Sequence, residues 1–263
     1  MVGTLFLLFA ALLALAAPIF VVLSLSTLGA FALHSAIPLQ TIVQRLFAGL
    51  DKFALMAIPF FILAANVMSA GGMSRRIIAV ANVLVGPLPG GLAMASVVAC
   101  MFFGAISGSS PATVVAMGGL LYPALVQAGY APGFAIGLIV ASGSLAVVIP
   151  PSITMIVYGA VTGASVGALF VSGLGAGVAY GLGFMAYSYL YARRHRIRPL
   201  PRPSWAQVRA TLADAKWGLG MPLLIIGGIY GGVFTPTEAA AVAAVYAVVV
   251  ALLIYREISW SEF

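Results

Sequence analysis

A chain of 263 residues in which 63% are hydrophobic and only 6% charged cannot hide its apolar surface in a water-soluble fold; it reads as an all-α integral membrane protein. That length leaves room for about six or seven spans with short connections. A single cysteine, Cys100, excludes an internal disulfide framework and any Cys-rich metal site, and the net charge of +7 reports loop arginines and membrane orientation rather than nucleic acid.

In chain order, residues 4–33 predict one long first span, with Pro18 and the Ser24–Ser26 region as bends. Its start lacks a basic segment and its apolar run is long, so it reads as a retained span rather than a cleaved signal peptide. Residues 37–50, "IPLQTIVQRLFAGL", are amphipathic and predict an interfacial helix. Asp51 is placed to cap the second span, 53–70, which Gly71 and Gly72 stop. Ser74 restarts a helix whose Arg75 and Arg76 mark an arm along the membrane surface, and the cluster Pro87, Pro89, Gly90 and Gly91 ends it.

Two apolar half-lengths follow, 92–106 and 112–127, on either side of "SGSSP". Neither is long enough to cross alone, so 92–127 predicts a re-entrant hairpin with its tip inside the membrane. Residues 134–163 predict a discontinuous crossing, because Pro150 and Pro151 each lack an N–H and must break a helix. Residues 166–191 cross again and run into "ARRHRIRPLPR", which marks 193–216 as a basic cytoplasmic loop. A connecting span, 217–233, and a further one, 237–254, are joined by "FTPTE". With that loop inside, the amino and carboxy termini lie inside, while 34–52 and "FTPTE" lie outside.

Broken backbone at membrane depth survives only inside protein or along a cavity, because each unsatisfied backbone group costs several kcal/mol in hydrocarbon. A hairpin that stops midway and a helix that breaks at Pro-Pro are the parts from which secondary transporters build midplane sites. Hydroxyl and carbonyl oxygens suit a hard cation such as sodium, and helix N–H groups suit a carboxylate. The candidates are Ser107, Gly108, Ser109, Ser110, Ser142, Gly143, Pro150, Pro151 and Ser152. The plainer alternative is that these small residues merely allow close helix packing.

Other polar residues have structural readings. Thr235, Pro236 and Glu238 match a capping box with Pro at the first helical position. Asn66 belongs to the last turns of the second span, and His34 and His195 sit at a span end and in the basic loop. Arg193, Arg194, Arg196 and Arg198 serve orientation and contact with anionic lipid. There is no nucleophile paired with a base, no metal-ligand spacing and no phosphate loop, so an enzyme is not expected.

The stretches "FFGAISGSSPATVVAMGGLLYPALVQAGY", "ASGSLAVVIPPSITMIVYGAVTGAS", "GGIYGGVFTPTEAAAVAAVYAVVVALLIYRE" and "QRLFAGLDKFALMAIPFFILAANVMSAGGMSRR" resemble the large permease subunit of tripartite ATP-independent periplasmic (TRAP) transporters, almost from end to end. The resemblance implies a multi-pass inner-membrane protein of the inverted-repeat, elevator-type secondary transporter fold. It implies import of a small organic acid such as a C4-dicarboxylate, delivered by a periplasmic substrate-binding protein, with a small TRAP membrane subunit as brace and Na+ as coupling ion, without other cofactors. It further implies a sodium site at Ser107, Ser109, Ser110, Ser142, Gly143 and Pro150. On this reading 1–192 is the first repeat and 217–263 holds a connecting span and the start of an incomplete second one. The chain is then expected to be the amino-terminal portion of a large subunit, whose missing second-repeat portion is itself a partner. The alternative is a membrane fragment with a structural or assembly role and no transport activity.

Overall fold

The computed structural model describes residues 1–258; residues 259–263 of the expected carboxy-terminal stretch lie outside the described residues. The described residues are helical with no strand, and they divide into two units, Met1–Lys52 and Phe53–Phe263.

The first unit holds α1 (Val2–Ala14), α2 (Ile19–His34) and α3 (Leu39–Leu50). The single span expected over 4–33 is corrected here: Ala16 adopts φ 53°, Pro18 caps α2, and the chain reverses so that α1 packs on α2. Thr4 Oγ1 meets His34 Nε2 at 2.6 Å across the hairpin. Pro18 therefore ends a helix rather than bending one; it has no N–H to extend the ladder and holds its neighbour out of the helical region. The expected cap at Asp51 is also corrected. Asp51 follows the last turn of α3, its N–H donating to the Phe47 carbonyl at 2.8 Å.

The second unit begins with a 3₁₀ turn, Phe53–Met56, that leads into α4 (Ala57–Ala70), followed by α5 (Met73–Val85). Gly72, at φ 68°, caps α5, so the helix starts one residue before Ser74, whose side chain is buried in its first turn. Next come α6 (Gly91–Ser107), α7 (Ser110–Gln127), α8 (Pro132–Gly143), a 3₁₀ turn at Ser144–Val147, α9 (Ile153–Thr162) and α10 (Val166–Arg194). The unit closes with α11 (Trp205–Tyr230) and α12 (Pro236–Val248), which continues as π-helix over Val249–Tyr255.

The loop expected over 193–216 is shorter than that. Helix α11 starts at Trp205, fastened by a capping box in which Ser204 Oγ accepts from the Gln207 N–H and Gln207 Oε1 accepts from the Ser204 N–H. The polar first turns carrying Arg209, Asp214 and Lys216 are therefore helical although they are not lipid-soluble. The connecting helix is correspondingly longer than the 217–233 expected from its apolar part.

Among the described residues, four stretches are long and apolar enough to cross a membrane: Phe53–Ala70, Val166–Arg194, Trp205–Tyr230 and Pro236–Tyr255. The core sits around α6, which packs against α5, α7, α8 and α10. Its Gly91, Ala93, Ala95, Ser96, Ala99, Cys100, Gly104 and Ala105 are all buried. Small residues at such spacing let helix backbones approach closely, which is how helices hold together where lipid offers no hydrophobic drive. The same device joins α4 to α12, where Ala239, Ala240, Ala243 and Ala247 are fully buried opposite Ala57, Phe61 and Ala64. Thr235 Oγ1 accepts from the Glu238 N–H, Glu238 Oε2 accepts from the Thr235 N–H, and Pro236 stands at the first helical position.

Candidate functional site

Helix α6 stops at Ser107 because Gly108 takes the left-handed conformation, φ 60° and ψ 10°, and donates its N–H to the Gly104 carbonyl at 2.8 Å. Ser109 is extended and caps α7, with Ser110 and Pro111 in the first helical turn. Ser107 is 2% exposed and Thr113 fully buried, and their hydroxyl oxygens lie 2.8 Å apart. The Thr113 hydroxyl donates to the Ser109 carbonyl at 2.9 Å, and the Ser109 N–H donates to Ser107 Oγ at 3.4 Å. A compact polar ring thus fills the tip, while Ser109 and Ser110 are half-exposed.

The second break has three parts. Helix α8 ends at Gly143, the 3₁₀ turn runs to Val147, and a cis Pro150–Pro151 peptide precedes Ser152 at the cap of α9. Ser152 Oγ accepts from the Met155 N–H at 3.4 Å and donates to the Val147 carbonyl at 2.7 Å, so its hydroxyl spans the interruption.

The two breaks meet. The Ile153 N–H donates to the Gly108 carbonyl at 3.2 Å. A Cβ at Gly108 would stand 2.8 Å from the Pro151 carbonyl oxygen. One at Gly104 would stand 2.9 Å from both Cα and Cβ of Ala146, and one at Gly143 would collide with the Val114 side chain of α7. Both arms of the hairpin therefore press on the broken helix where it comes apart.

All nine sequence candidates lie at these joined breaks, and Pro150, Pro151, Ser152 and Gly143 are buried with Ser107. Ser142 differs from the other serines. It is fully buried, and its Oγ finds no hydrogen-bond partner among the described residues. A buried hydroxyl without a partner carries a desolvation penalty of about 1–3 kcal/mol, so such a group calls for an explanation.

Thr113 and Ser69 were not singled out from the sequence, and Asn66 was given only a structural reading. Thr113 closes the ring at the tip; its spacing of four residues from Ser109, one helical turn, was the available signal. Asn66 and Ser69 of α4 line, with Ser107, Ala112 and Ala116, an open cleft of about 260 Å³ beside the tip. Ser69 and Ala116 also line a second cleft of about 460 Å³ that reaches Ser74, Arg75 and Glu257. Two open clefts that share Ser69 and Ala116 thus lie between the hairpin tip and the start of α5.

Next to Arg75 and Glu257 of the second cleft, Arg76 joins three elements. Its Nε lies 3.1 Å from Asp214 Oδ2 of α11, a terminal guanidinium nitrogen lies 2.5 Å from Glu257 Oε1, and Cζ stands 3.9 Å from the centre of the Tyr255 ring. The Tyr255 hydroxyl donates to the Asp214 carbonyl at 2.7 Å. Partial burial disfavours the Arg76 charge, but the hydrogen bond to Glu257 and the attraction of Asp214 and Glu257 outweigh it and raise the guanidinium pKa. Arg76 is thus held in a network rather than serving only as a marker of the membrane surface.

Among the described residues, four stretches able to span a membrane, with a helical hairpin and a broken helix joined at their interruptions, define a multi-pass membrane protein. The family model "Tripartite ATP-independent periplasmic transporter, DctM component" matches residues 6–263. Over 257 residues the chain is 46% identical to the C4-dicarboxylate TRAP transporter large permease protein DctM of Vibrio cholerae, covering 97% of this chain and 57% of that one. It is 46% identical over 223 residues to the ectoine/5-hydroxyectoine TRAP transporter large permease protein UehC of Ruegeria pomeroyi, covering 85% and 52%. It is 43% identical over 256 residues to the isethionate TRAP transporter permease protein DctMQ of Oleidesulfovibrio alaskensis, covering 97% and 40%. The chain belongs to the TRAP transporter large permease family, an inner-membrane transporter family rather than a family of enzymes. It spans about half the length of the curated relatives it matches.

Proposed function

We propose that this chain forms part of the large permease of a sodium-coupled, binding-protein-dependent transporter that imports a small organic acid across the inner membrane. The carboxylate class follows from relatives named for C4-dicarboxylates, although others are named for ectoine and isethionate. A small membrane subunit and a periplasmic binding protein complete the assembly, and the remainder of the large subunit supplies an inverted second repeat with its own hairpin and broken helix. The transport motion is an elevator-type displacement of the hairpin and broken helix as one body.

The observation that supports this reading is the buried, unpartnered Ser142 hydroxyl beside two joined helix breaks. A hard cation takes neutral and anionic oxygens as ligands, and this region is rich in hydroxyl and carbonyl oxygens. Ser107, Ser109, Ser110, Ser142 and the carbonyls of Gly143 and Pro150 would hold sodium. The helix N-termini at Ser109 and Ser152 would face a carboxylate. Sodium would be coordinated by these neutral oxygens and so tie the two breaks together.

The test is uptake by a complete reconstituted transporter that contains this segment, measured against sodium concentration with a loaded binding protein. Ser107→Ala, Ser109→Ala and Ser142→Ala should each raise the sodium concentration for half-maximal uptake without reducing membrane insertion. Unchanged half-saturation in all three returns these residues to helix packing. A second reading is a structural or assembly component without transport activity. Uptake restored by coexpressing the second-repeat portion and the small subunit would reject that second reading.

A further inference from the structure

Helices α8 and α10 run side by side, and between them lies an open groove of about 450 Å³ lined by Gly137, Ala141, Tyr180, Gly183, Phe184 and Tyr187. No charged side chain lines it. The groove exists because two of its wall positions are glycine. A Cβ at Gly137 or Gly183 would meet nothing within 4 Å, so neither glycine is required by contact with a neighbouring helix.

One end of the groove is closed by an aromatic stack. The Phe134 and Tyr191 rings lie 3.8 Å apart, Phe134 and Tyr187 5.9 Å apart, and Tyr191 stacks on His195 at 4.0 Å. Aromatic rings with polar edges collect at the level of lipid headgroups. Immediately beyond the stack α10 ends in Arg193 and Arg194, with Arg196 and Arg198 following. Arg193 is engaged on another side of the helix, its guanidinium 5.7 Å from the Tyr189 ring and 3.5 Å from the Tyr189 hydroxyl. Arg194 stands seven residues, about two turns, after Tyr187 and so on the groove face. The ion pairs among the described residues both belong to Arg76, which leaves Arg194 with no acidic partner there.

We propose that this groove is a binding site for an anionic phospholipid, with one acyl chain between Gly137 and Gly183 and the phosphate at Arg194. An apolar slot, an aromatic collar and an arginine with no acidic partner among the described residues follow one another along the helix in the order in which a phospholipid presents its acyl chain, interfacial region and headgroup. Basic residues at the cytoplasmic ends of transmembrane helices select anionic headgroups by charge, while the slot selects only by shape. The inference rests on membrane embedding and the groove, and it is independent of sodium coupling.

The test reconstitutes the 263-residue chain in phosphatidylcholine vesicles containing phosphatidylglycerol with a photoactivatable group on one acyl chain, and maps labelled peptides by mass spectrometry. Peptides 137–141 and 180–187 should carry several-fold more label from this probe than from a phosphatidylcholine probe bearing the same group. Gly183→Leu should remove most of that label while labelling elsewhere stays constant. Gly137→Leu, on the opposite wall, provides the same test should the first variant fail to insert. Arg194→Gln should abolish the preference for phosphatidylglycerol but leave acyl labelling in place. Equal labelling by the two probes, or unchanged labelling in both filled-groove variants, would reduce the lipid to an ordinary solvent shell and overturn the proposal. So would loss of label from these peptides when the chain is assembled with the rest of a large subunit, since a protein surface would then occupy the groove.

Discussion

The α1–α2 hairpin and the α6–α7 hairpin are both apolar helix pairs that reverse at a residue with positive φ, yet they are opposite kinds of object. No residue of α1 is buried, whereas most of α6 is. Helix α1 is built from Leu and Phe, which offer area to lipid; α6 is built from Gly, Ala, Ser and Cys, which offer closeness to other helices. The turns differ in the same sense. Ala16 turns the first hairpin at φ 53° without a polar side chain nearby in sequence, while Gly108 turns the second at φ 60° inside a ring of hydroxyls. Apolar content therefore does not distinguish an exposed hairpin from a buried one; residue size and the chemistry of the turn do.

The largest effect that could break this contrast is expected at the closest approach. Gly104→Ala would place Cβ 2.9 Å from the Ala146 backbone, an overpacking that should lower unfolding stability by about 2–3 kcal/mol. Gly29→Ala in α2 meets only the movable end of Leu8 and should change stability by less than about 0.5 kcal/mol. Unfolding of both variants in mixed detergent micelles compares them directly, and equal losses would contradict the assignment of α6 as core.

The two turns should respond with opposite signs. Gly108→Ala combines a left-handed backbone, which disfavours a Cβ by about 1–2 kcal/mol, with the approach to Pro151, and should destabilise. Ala16→Gly relieves the same kind of conformation and should be neutral or stabilising by up to about 1 kcal/mol. A sharper probe of the tip is Thr113→Val. It leaves Ser107 Oγ without its hydroxyl partner and should lower stability by about 1 kcal/mol, read in the same assay.

A smaller effect is expected at Arg76, outside both hairpins. Its side chain is 16% exposed while those of Asp214 and Glu257 are 61% and 38% exposed, so solvent screens both pairs. Arg76→Gln should cost about 1 kcal/mol or less, with the loss shrinking at high salt. A loss as large as that of Gly104→Ala would make the charged network, rather than small-residue packing, the chief fastening of the unit.

The two breaks were legible because they are written in residues with backbone meaning. Gly108 and the Pro150–Pro151 pair announce interruptions that no apolar context can hide, and Thr235-Pro-Thr-Glu238 announces a helix start. The reversal after Ala14 was not legible, since "LALAAPIF" contains one proline and no turn-forming polar residue, and an alanine supplies the positive φ. The early start of α11 had a readable signal in Ser204-Trp-Ala-Gln207, a capping box, but the hydropathy of the following turns pointed to a loop. The Arg76 network joins residues 138 positions apart in the case of Asp214, and no local pattern encodes such a pairing. Ser142 was readable as a serine near a break; its lack of a partner is a property of packing alone.

The most direct test of the joined-break site is hydrogen–deuterium exchange on a complete transporter containing this segment, compared in sodium and in an equal concentration of choline. Sodium should slow exchange together at the amides of 107–113 and 143–155, and Ser142→Ala should diminish the effect at both stretches at once. Sodium-independent exchange at both stretches, in a preparation that still takes up substrate on a sodium gradient, would contradict the account and place the ion elsewhere.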